Sequence, residues 1–308
     1  MKNLAPVILF VYNRVEHTRQ VVEALLENNL AKESVLYIYS DGPDLGEEDA
    51  VRKVRDYIRH ISGFREINII ERKENYGIEK SEISAITEIL SSYPEVIILE
   101  DDLVVAYNFL EYMNHALKKY SKEKKIFYIS GYSYLKEKSK KLPDSMLLNM
   151  PSTWGWATWR DRWTYFREIP EKSDVEKIIN NRESLRRYDV NGAYYKAWKN
   201  MLINQYKTGQ YTWDVSWRIA QFQHDALVLI PNQTLVQNIG FDGSGTHGEI
   251  RENVITDWAN MDTKIQFYPD KIEESPKIKK TVIWLMKKQH WIESIQHKLV
   301  HFKRKFQS

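Results

Sequence analysis

The chain has 308 residues and carries 45 Lys and Arg against 42 Asp and Glu, which leaves a formal charge of only +3. General nucleic-acid binders are usually strongly basic, so this balance argues against nucleic acid as a partner. The sequence also lacks an uninterrupted run of about 18 apolar residues, the length needed to span a bilayer.

Cysteine is absent, which excludes disulfides, thiolate nucleophiles and cysteine-ligated metal sites. The first residues lead into an apolar run without a small-residue cleavage site, unlike a signal peptide. We therefore expect a cytoplasmic protein. The unusual feature of the composition is aromatic, with 10 Trp and 19 Tyr.

The first 130 residues alternate short apolar runs with amphipathic segments. Continuous runs of Val, Ile and Leu indicate strands that helices cover on both faces, as a parallel sheet requires. The predicted strands span residues 7–11, 35–39, 67–70, 96–99 and 126–129, and the predicted helices span residues 16–28 and 78–91. This pattern predicts an α/β fold with a Rossmann-like, mostly parallel central sheet flanked by helices.

Residues 131–270 are more aromatic and richer in loops, with one further strand predicted at 226–230 and helices around 174–181 and 193–207. The tryptophans at 154, 156, 159 and 163 do not all fit on one helical face. They can stack on sugar rings or form a packed aromatic core. We expect most of them to be core and one or two to line a cleft for an acceptor.

Residues 271–308 carry ten Lys or Arg and three Glu, a net charge of +7. The apolar residues that recur there at helical spacing are Trp284, Trp291, Ile295, Leu299 and Phe302. A basic amphipathic helix with tryptophan on its apolar side suits an anionic membrane surface. The alternative is a helix packed on the body of the protein with a solvated basic side.

Ligands of open α/β sheets bind beyond the carboxyl ends of the parallel strands. Polar residues follow four of the predicted strands, as Tyr12-Asn13-Arg14, Ser40-Asp41-Gly42-Pro43, Glu100-Asp101-Asp102 and Ser130-Gly131-Tyr132. We therefore expect a binding site at this edge of the sheet.

The acidic triplet Glu100-Asp101-Asp102 is the most specific of these signals. Three adjacent carboxylates after a buried strand need a cation or hydrogen-bond donors to remain ionised. Mn²⁺ or Mg²⁺ takes oxygen ligands and usually completes its shell with waters and substrate phosphates. The triplet therefore predicts a metal and nucleotide site, with an acidic cap on a following helix as the alternative.

Two other strand ends offer nucleotide contacts. The carboxylate of Asp41 can accept the N3–H of uracil, although Ser40-Asp41-Gly42-Pro43 is also a good turn sequence. The planar guanidinium of Arg14 suits a base carbonyl or a phosphate, and the alternative is a surface arginine at a helix entry.

A candidate general base lies in Trp213-Asp214, since an acid between Trp213 and Trp217 should be partly desolvated and its pKa raised. The alternative is a helix-capping aspartate among core tryptophans. His247 lies in the Gly-rich segment 243–248, which can close over a ligand and bring the imidazole to a metal or diphosphate. A lone loop histidine is more often solvated.

The acidic triplet, with the following Leu103-Val104-Val105-Ala106 and Phe109-Leu110-Glu111-Tyr112, resembles the metal-binding segment of GT-A glycosyltransferases. It is most similar to the N-acetylglucosaminyltransferase I type, where Glu-Asp-Asp takes the part of the usual DXD motif. The resemblance covers about residues 5–250, and the aromatic stretch at 154–163 also resembles bacterial sugar transferases that build surface polysaccharides.

The resemblance implies a GT-A fold whose residues 1–130 bind the nucleotide-sugar and whose residues 131–270 bind the acceptor and carry the catalytic base, followed by the basic helix at 271–308. Donor-binding residues would be Tyr12, Arg14, Asp41, Glu100 and Asp101. Asp102 and His247 would hold Mn²⁺ or Mg²⁺, Asp214 would be the base, and Trp154, Trp156 and Trp213 would bind the acceptor. The family base lies in Trp-Asp-Asp-Trp, whereas this chain has Trp213-Asp214-Val215-Ser216-Trp217.

The sequence thus predicts a metal-dependent, inverting glycosyltransferase. It would move a sugar from a nucleotide-sugar, expected to be a UDP-sugar, to a glycan or lipid-linked glycan in surface polysaccharide synthesis. The basic tail would fit action at the inner face of the plasma membrane. The alternatives are a non-catalytic glycan- or nucleotide-binding module and a nucleotidyltransferase. The latter normally has a Gly-rich phosphate loop near its first strand, which this sequence lacks.

Overall fold

The computed structural model describes residues 4–135, 138–194, 196–244 and 261–305, with side chains up to residue 292. The strands in these ranges are β1 Val7–Val11, β2 Val35–Ser40, β3 Glu66–Glu71, β4 Glu95–Glu100, β5 Leu103–Val105, β6 Ile126–Ser130, β7 Ser145–Leu148, β8 Trp156–Trp159, β9 Leu227–Pro231 and β10 Val236–Asn238. The helices are α1 Val15–Leu26, α2 Glu48–Ile58, α3 Gly77–Ser92, α4 Phe109–Tyr120, α5 Arg160–Trp163, α6 Lys172–Ile179, α7 Arg182–Tyr188, α8 Ala197–Thr208, α9 Trp213–Gln223 and α10 Pro276–Lys305.

Eight strands form one sheet in the order β3-β2-β1-β4-β8-β6-β9-β7. The pairs β3–β2, β2–β1, β1–β4 and β6–β9 are parallel. β8 runs antiparallel between β4 and β6, and β7 runs antiparallel to β9 at the edge. Six of the eight strands therefore share one direction. The predicted α/β fold with a mostly parallel central sheet is confirmed.

The sheet is covered on both faces, which is why its strands are apolar throughout. Every residue of β1 and of β6 is buried. Successive side chains point to opposite faces of a strand, so Leu9 belongs to the cluster that includes α1 and α4, while Ile8 packs with α3 and α9. Because β1, β2 and β4 are parallel, their carboxyl ends lie together at one edge of the sheet.

The aromatic region contributes two strands, β7 and β8, that the sequence pattern did not indicate. Each has four residues, too few for the alternation of apolar and polar positions to be visible. β8 is placed by partners distant in sequence, because it lies between β4 and β6. The side-chain hydroxyl of Thr158 in β8 donates to the carbonyl of Phe127 at 2.7 Å. Tertiary pairing therefore defines this strand.

The predicted helix in the tail is present as α10, but it packs through a different face from the one that the spacing indicated. Val282 and Met286 are buried against the body, whereas Trp284 and Trp291 are 51% and 64% exposed. At about 100° per residue, Trp284 lies on the opposite side of the helix from Val282. The start of α10 thus follows the packed-helix alternative, with its two tryptophans facing outward.

Within the described ranges, no helix is both long and apolar enough to cross a membrane.

Candidate active site

A cavity of about 420 Å³ opens at the carboxyl ends of β1, β2 and β4. Its lining includes Tyr12 and Arg14 after β1, Asp41 after β2, and Glu100 and Asp101 at the end of β4. The first turns of α3 close another side. The structure therefore brings together all five predicted donor-binding residues. The polar residues at 130–132, which follow β6, were also expected at this site. They do not line the cavity, because β8 lies between β6 and β4 in the sheet.

Glu100 is the last residue of β4, and Asp101 and Asp102 form the tight connection to β5. A short strand follows it, and α4 begins only at Phe109, so the capping alternative for the triplet is wrong. Arg14 donates from one guanidinium nitrogen to Asp101 Oδ1 and, at 3.0 Å, to Asp102 Oδ2. The second oxygen of each carboxylate, Asp101 Oδ2 and Asp102 Oδ1, is buried without a hydrogen-bond partner among the described residues.

Burial and mutual repulsion dominate the electrostatics of this turn. Burial raises the pKa of Glu100 to about 8, and the charges of Asp102 and Asp101 add to the rise. Burial raises the pKa of Asp101 to about 6 although Arg14 opposes it. Burial would lower the pKa of Arg14, but the two aspartates outweigh it and raise that pKa. One guanidinium therefore does not neutralise three carboxyl groups, and a further cation would favour their ionised forms.

Two buried carboxyl oxygens with free lone pairs fit the ligand chemistry of Mg²⁺ or Mn²⁺, which often takes one or two carboxylates plus substrate phosphates. In the described part of the chain, no group of three or more His, Asp or Glu side chains is arranged to hold a metal by itself. The residues thus fit a metal whose remaining ligands come from water and substrate. His247, the other predicted ligand, lies outside the described residues.

Asp41 is held by the backbone. Its Oδ1 accepts from Gly42 N at 3.0 Å and from Tyr76 N at 2.9 Å. A side chain at Gly42 would collide with the backbone of Glu74, so only glycine allows this turn to approach the segment before α3. The turn-forming alternative is thus observed, and the carboxylate, with about four lone-pair sites, can still accept from a ligand.

The hydroxyl of Tyr12 joins two loops at the rim of the cavity. It accepts from Asp44 N at 3.0 Å and from Asn75 Nδ2 at 3.2 Å. The side chain therefore links the connections that follow β2 and β3.

Asp214 lies in the first turn of α9 and is half-buried. Its Oδ1 accepts from Val215 N at 2.8 Å and from the hydroxyl of Thr212 at 2.5 Å. Glu79 of α3 accepts from Trp213 N and thereby connects α3 to the start of α9. The negative charge of Asp214 helps to raise the pKa of Glu100, behind burial and the two neighbouring aspartates. The candidate base and the acidic triplet are therefore electrostatically linked.

Two of the three tryptophans predicted to bind an acceptor belong to the core. Trp156 and Trp213 are 1% and 7% exposed, and their rings stack with centroids 5.5 Å apart. This burial corrects the prediction that both bind an acceptor, because neither ring has a face available to a sugar. Trp154, the third of these residues, is less enclosed. It is half-buried, with its ring 4.5 Å from Tyr132 and 5.8 Å from Phe241.

Sequence reasoning missed the contribution of α3 to the site. Ser81 and Glu82 line the cavity, and Glu82 is only 1% exposed. Glu82 lies three and four residues before Ala85 and Ile86, on the apolar stripe of α3. A glutamate on the buried stripe of an amphipathic helix was the signal that could have identified it.

Residues 1–147 match the GNT-I family, just under half of the chain. The matched range contains Arg14, Asp41 and the acidic triplet. The match confirms the predicted resemblance to the N-acetylglucosaminyltransferase I type and supports a glycosyltransferase. No curated protein matches the chain.

Several solved structures are similar in fold. The mannosyltransferase PcManGT from Pyrobaculum calidifontis, in complex with GDP-Man and Mn²⁺, is 11% identical over 72% of each chain, with a TM-score of 0.39. A UDP-glucose pyrophosphorylase complexed with UDP-glucose is 11% identical over 53% of this chain and 79% of its own, with a TM-score of 0.30. TarS from S. aureus is 12% identical over 67% of this chain and 43% of its own, with a TM-score of 0.36. Likenesses at these scores do not distinguish one activity from another.

Proposed function

We propose that the protein is a metal-dependent, inverting glycosyltransferase that moves a sugar from a nucleotide-sugar to a hydroxyl group of a glycan or lipid-linked glycan in surface polysaccharide synthesis. UDP-sugars are the expected donors. The observation that carries the proposal is the acidic triplet, of which Glu100 and Asp101 line the cavity. Asp102 is joined to Asp101 through Arg14, and each aspartate keeps one buried, unpartnered oxygen. The place of the triplet within the range matching the GNT-I family supports the proposal further.

The position of each residue indicates which part of the substrates it would bind. Arg14 and Asp41, with Tyr12 at the rim, would hold the nucleotide. The sequence assigned Asp102 to the metal and Asp101 to the donor; because each has an unpartnered oxygen, we propose that both hold Mn²⁺ or Mg²⁺. When bound, the metal would stabilise the negative charge of the departing nucleoside diphosphate. Residues 1–130 would thus bind the donor, and residues 131–270 would receive the acceptor, with Trp154 as the remaining tryptophan candidate.

Asp214 would act as the general base. Its carboxylate would take the proton of the acceptor hydroxyl while that oxygen forms a bond to the anomeric carbon. The bond from the anomeric carbon to the diphosphate oxygen breaks on the opposite face, and the nucleoside diphosphate leaves with the electron pair. Attack and departure on opposite faces invert the anomeric configuration.

The products of the reaction test this function. Incubation with UDP-, GDP-, CMP- and dTDP-sugars and Mn²⁺ should release free nucleotide, as UDP, GDP, CMP or dTDP, even if only by slow donor hydrolysis when the acceptor is lacking. Mass spectrometry provides the measurement. Release of pyrophosphate from a sugar phosphate and a nucleoside triphosphate would instead identify a nucleotidyltransferase. Binding of a nucleotide-sugar without consumption would identify a non-catalytic module.

We also infer that the outward face of α10 binds an anionic membrane surface. The exposed Trp284 and Trp291 lie on the same side of the helix as the exposed lysines at positions 277, 280, 287 and 288. The net charge of +7 over residues 271–308 complements anionic lipid. Because Val282 and Met286 attach the start of this helix to the body, the membrane-facing side would be the opposite one.

The double substitution Trp284→Ser and Trp291→Ser tests this membrane contact without removing the buried side of α10. The wild-type chain should co-sediment with vesicles of phosphatidylcholine and phosphatidylglycerol, and the double variant should bind at least about tenfold more weakly, since each tryptophan is a major interfacial anchor. Vesicles of phosphatidylcholine alone and an unchanged Tm serve as controls. Equal sedimentation of both proteins would reject the membrane contact.

A further inference from the structure

Glu82 has no partner for its carboxyl group in the described part of the chain. It lies in the second turn of α3 and is 1% exposed, and both its oxygens are buried without a hydrogen bond. Burying a carboxyl group in this way is costly, because it gives up hydrogen bonds to water and gains none. An apolar residue on this stripe of the helix would avoid that cost.

The groups around Glu82 are acidic, which limits the kind of ligand group that could bind it. Glu82 lines the same cavity as Glu100 and Asp101. After burial itself, the groups that raise its pKa are carboxyl groups, in the order Glu100, Glu79, Asp214 and Asp102. Phosphate oxygens at this position would add further negative charge. A group that suits it must offer hydrogen-bond donors, as hydroxyl groups do.

The position of Glu82 indicates which part of a donor lies nearby. In the proposed function, Asp102 holds the metal beside the diphosphate and Asp214 receives the proton of the acceptor, so the transferred sugar lies between these two groups. Glu82 lines the cavity with Glu100 and Asp101. One turn earlier on α3, Glu79 accepts from Trp213 N, next to Asp214. Glu82 therefore lies on the side of the cavity between the acidic triplet and the candidate base, where the sugar would bind.

We propose that Glu82 is a specificity-determining residue that binds a hydroxyl group of the transferred sugar. The inference rests on the proposed function and extends it to the class of donor. The protein would select sugars with a free hydroxyl on the side facing α3, and it would discriminate against donors deoxygenated or alkylated at that position. Rejection of an analogue lacking a hydrogen-bonding group is strong where the site is left with a buried unpaired group.

Replacing Glu82 by leucine tests the inference through two ligands. We expect affinity for a UDP-, GDP- or dTDP-hexose to fall by about 3- to 10-fold, the usual contribution of one buried hydrogen bond. Affinity for the matching nucleoside diphosphate should stay within about twofold, because it lacks the sugar. Titration calorimetry with Mn²⁺ present measures both. Glu82→Gln, which keeps the size and one acceptor oxygen, should lie between wild type and Glu82→Leu.

Thermal stability separates this role from a structural one. An unpartnered buried carboxyl group destabilises the fold. Glu82→Leu should therefore raise the Tm of the ligand-free protein by about 2–4 °C. The matched control is Glu95→Leu, at the opposite end of β4, where burial also raises the pKa of a half-buried glutamate. This control should leave both affinities unchanged.

The binding and stability measurements separate a failure of the Glu82 inference from a failure of the proposed function. If Glu82→Leu weakens nucleoside diphosphate and nucleotide-sugar equally, or lowers the Tm, the side chain supports the fold and the inference fails while the proposed function stands. If the wild-type protein binds none of these nucleotides, the proposed function fails and the inference fails with it. If the inference holds, donors that lack one sugar hydroxyl group identify the group that Glu82 binds. Loss of that hydroxyl should weaken donor binding to the wild-type protein and should not weaken it further in Glu82→Leu.

Discussion

The substitution Asp102→Asn is expected to reduce metal-stimulated turnover by about 100- to 1,000-fold, the usual cost of removing one electrostatic stabiliser from a reacting site. Asparagine keeps the shape of the side chain, and its amide oxygen can still accept from Arg14. It loses the negative charge that the buried Oδ1 offers to a cation. Donor consumption measured against Mn²⁺ concentration should therefore lose its metal dependence.

The fold should survive this change, since removing one of three adjacent carboxylates relieves repulsion around Glu100. An unchanged or raised Tm of Asp102→Asn would show that the lost turnover is not a loss of folding. Asp49→Asn, at an exposed position on α2, serves as the control and should retain full activity. Normal metal-stimulated turnover by Asp102→Asn would reject its assignment as a ligand.

The substitution Asp214→Asn should lower the rate of sugar transfer by about 100- to 10,000-fold, the range that general base catalysis contributes. Two groups that hold this side chain, Val215 N and the hydroxyl of Thr212, donate to Oδ1. The amide oxygen of asparagine can accept the same two hydrogen bonds. The change therefore preserves these two contacts and removes the ability to take a proton.

Single-turnover transfer and donor affinity separate these effects. Asp214→Asn should lower kcat and leave the Kd for nucleotide-sugar within about twofold, as expected when an interaction made only in the transition state is lost. Thr212→Val keeps the carboxylate and removes one of its donors, so its transfer rate should fall far less. Transfer at the wild-type rate by Asp214→Asn would mean that another group takes the proton.

The parallel strands could be predicted from the sequence because each is a continuous apolar run covered by helices on both faces. β1, β2, β3, β4, β6 and β9 all lie at the predicted places, with ends shifted by one residue or so. Since ligands bind at the carboxyl ends of such strands, the residues that follow three of them could be assigned to one site. Arg14, Asp41, Glu100 and Asp101 meet there for that reason.

The remainder of the site depends on contacts between distant segments. The pattern of α3 indicates which side of the helix is buried, but only the packed sheet shows that Glu82 on that side reaches the cavity. The stacking of Trp156 on Trp213 joins residues 57 positions apart, and spacing along the chain does not encode it. For the same reason, the sequence did not distinguish a core tryptophan from one that contacts a sugar.

Helix α10 also has features that the sequence predicts and features that depend on tertiary packing. The sequence by itself determined that residues 276–305 form a helix with tryptophan and lysine, because helical spacing and charge are local properties. Only the tertiary structure decided that Val282 and Met286 face the body and that Trp284 and Trp291 face outward. A helix with apolar residues on two sides can bury either one, and the complementary surface of the folded body selects between them.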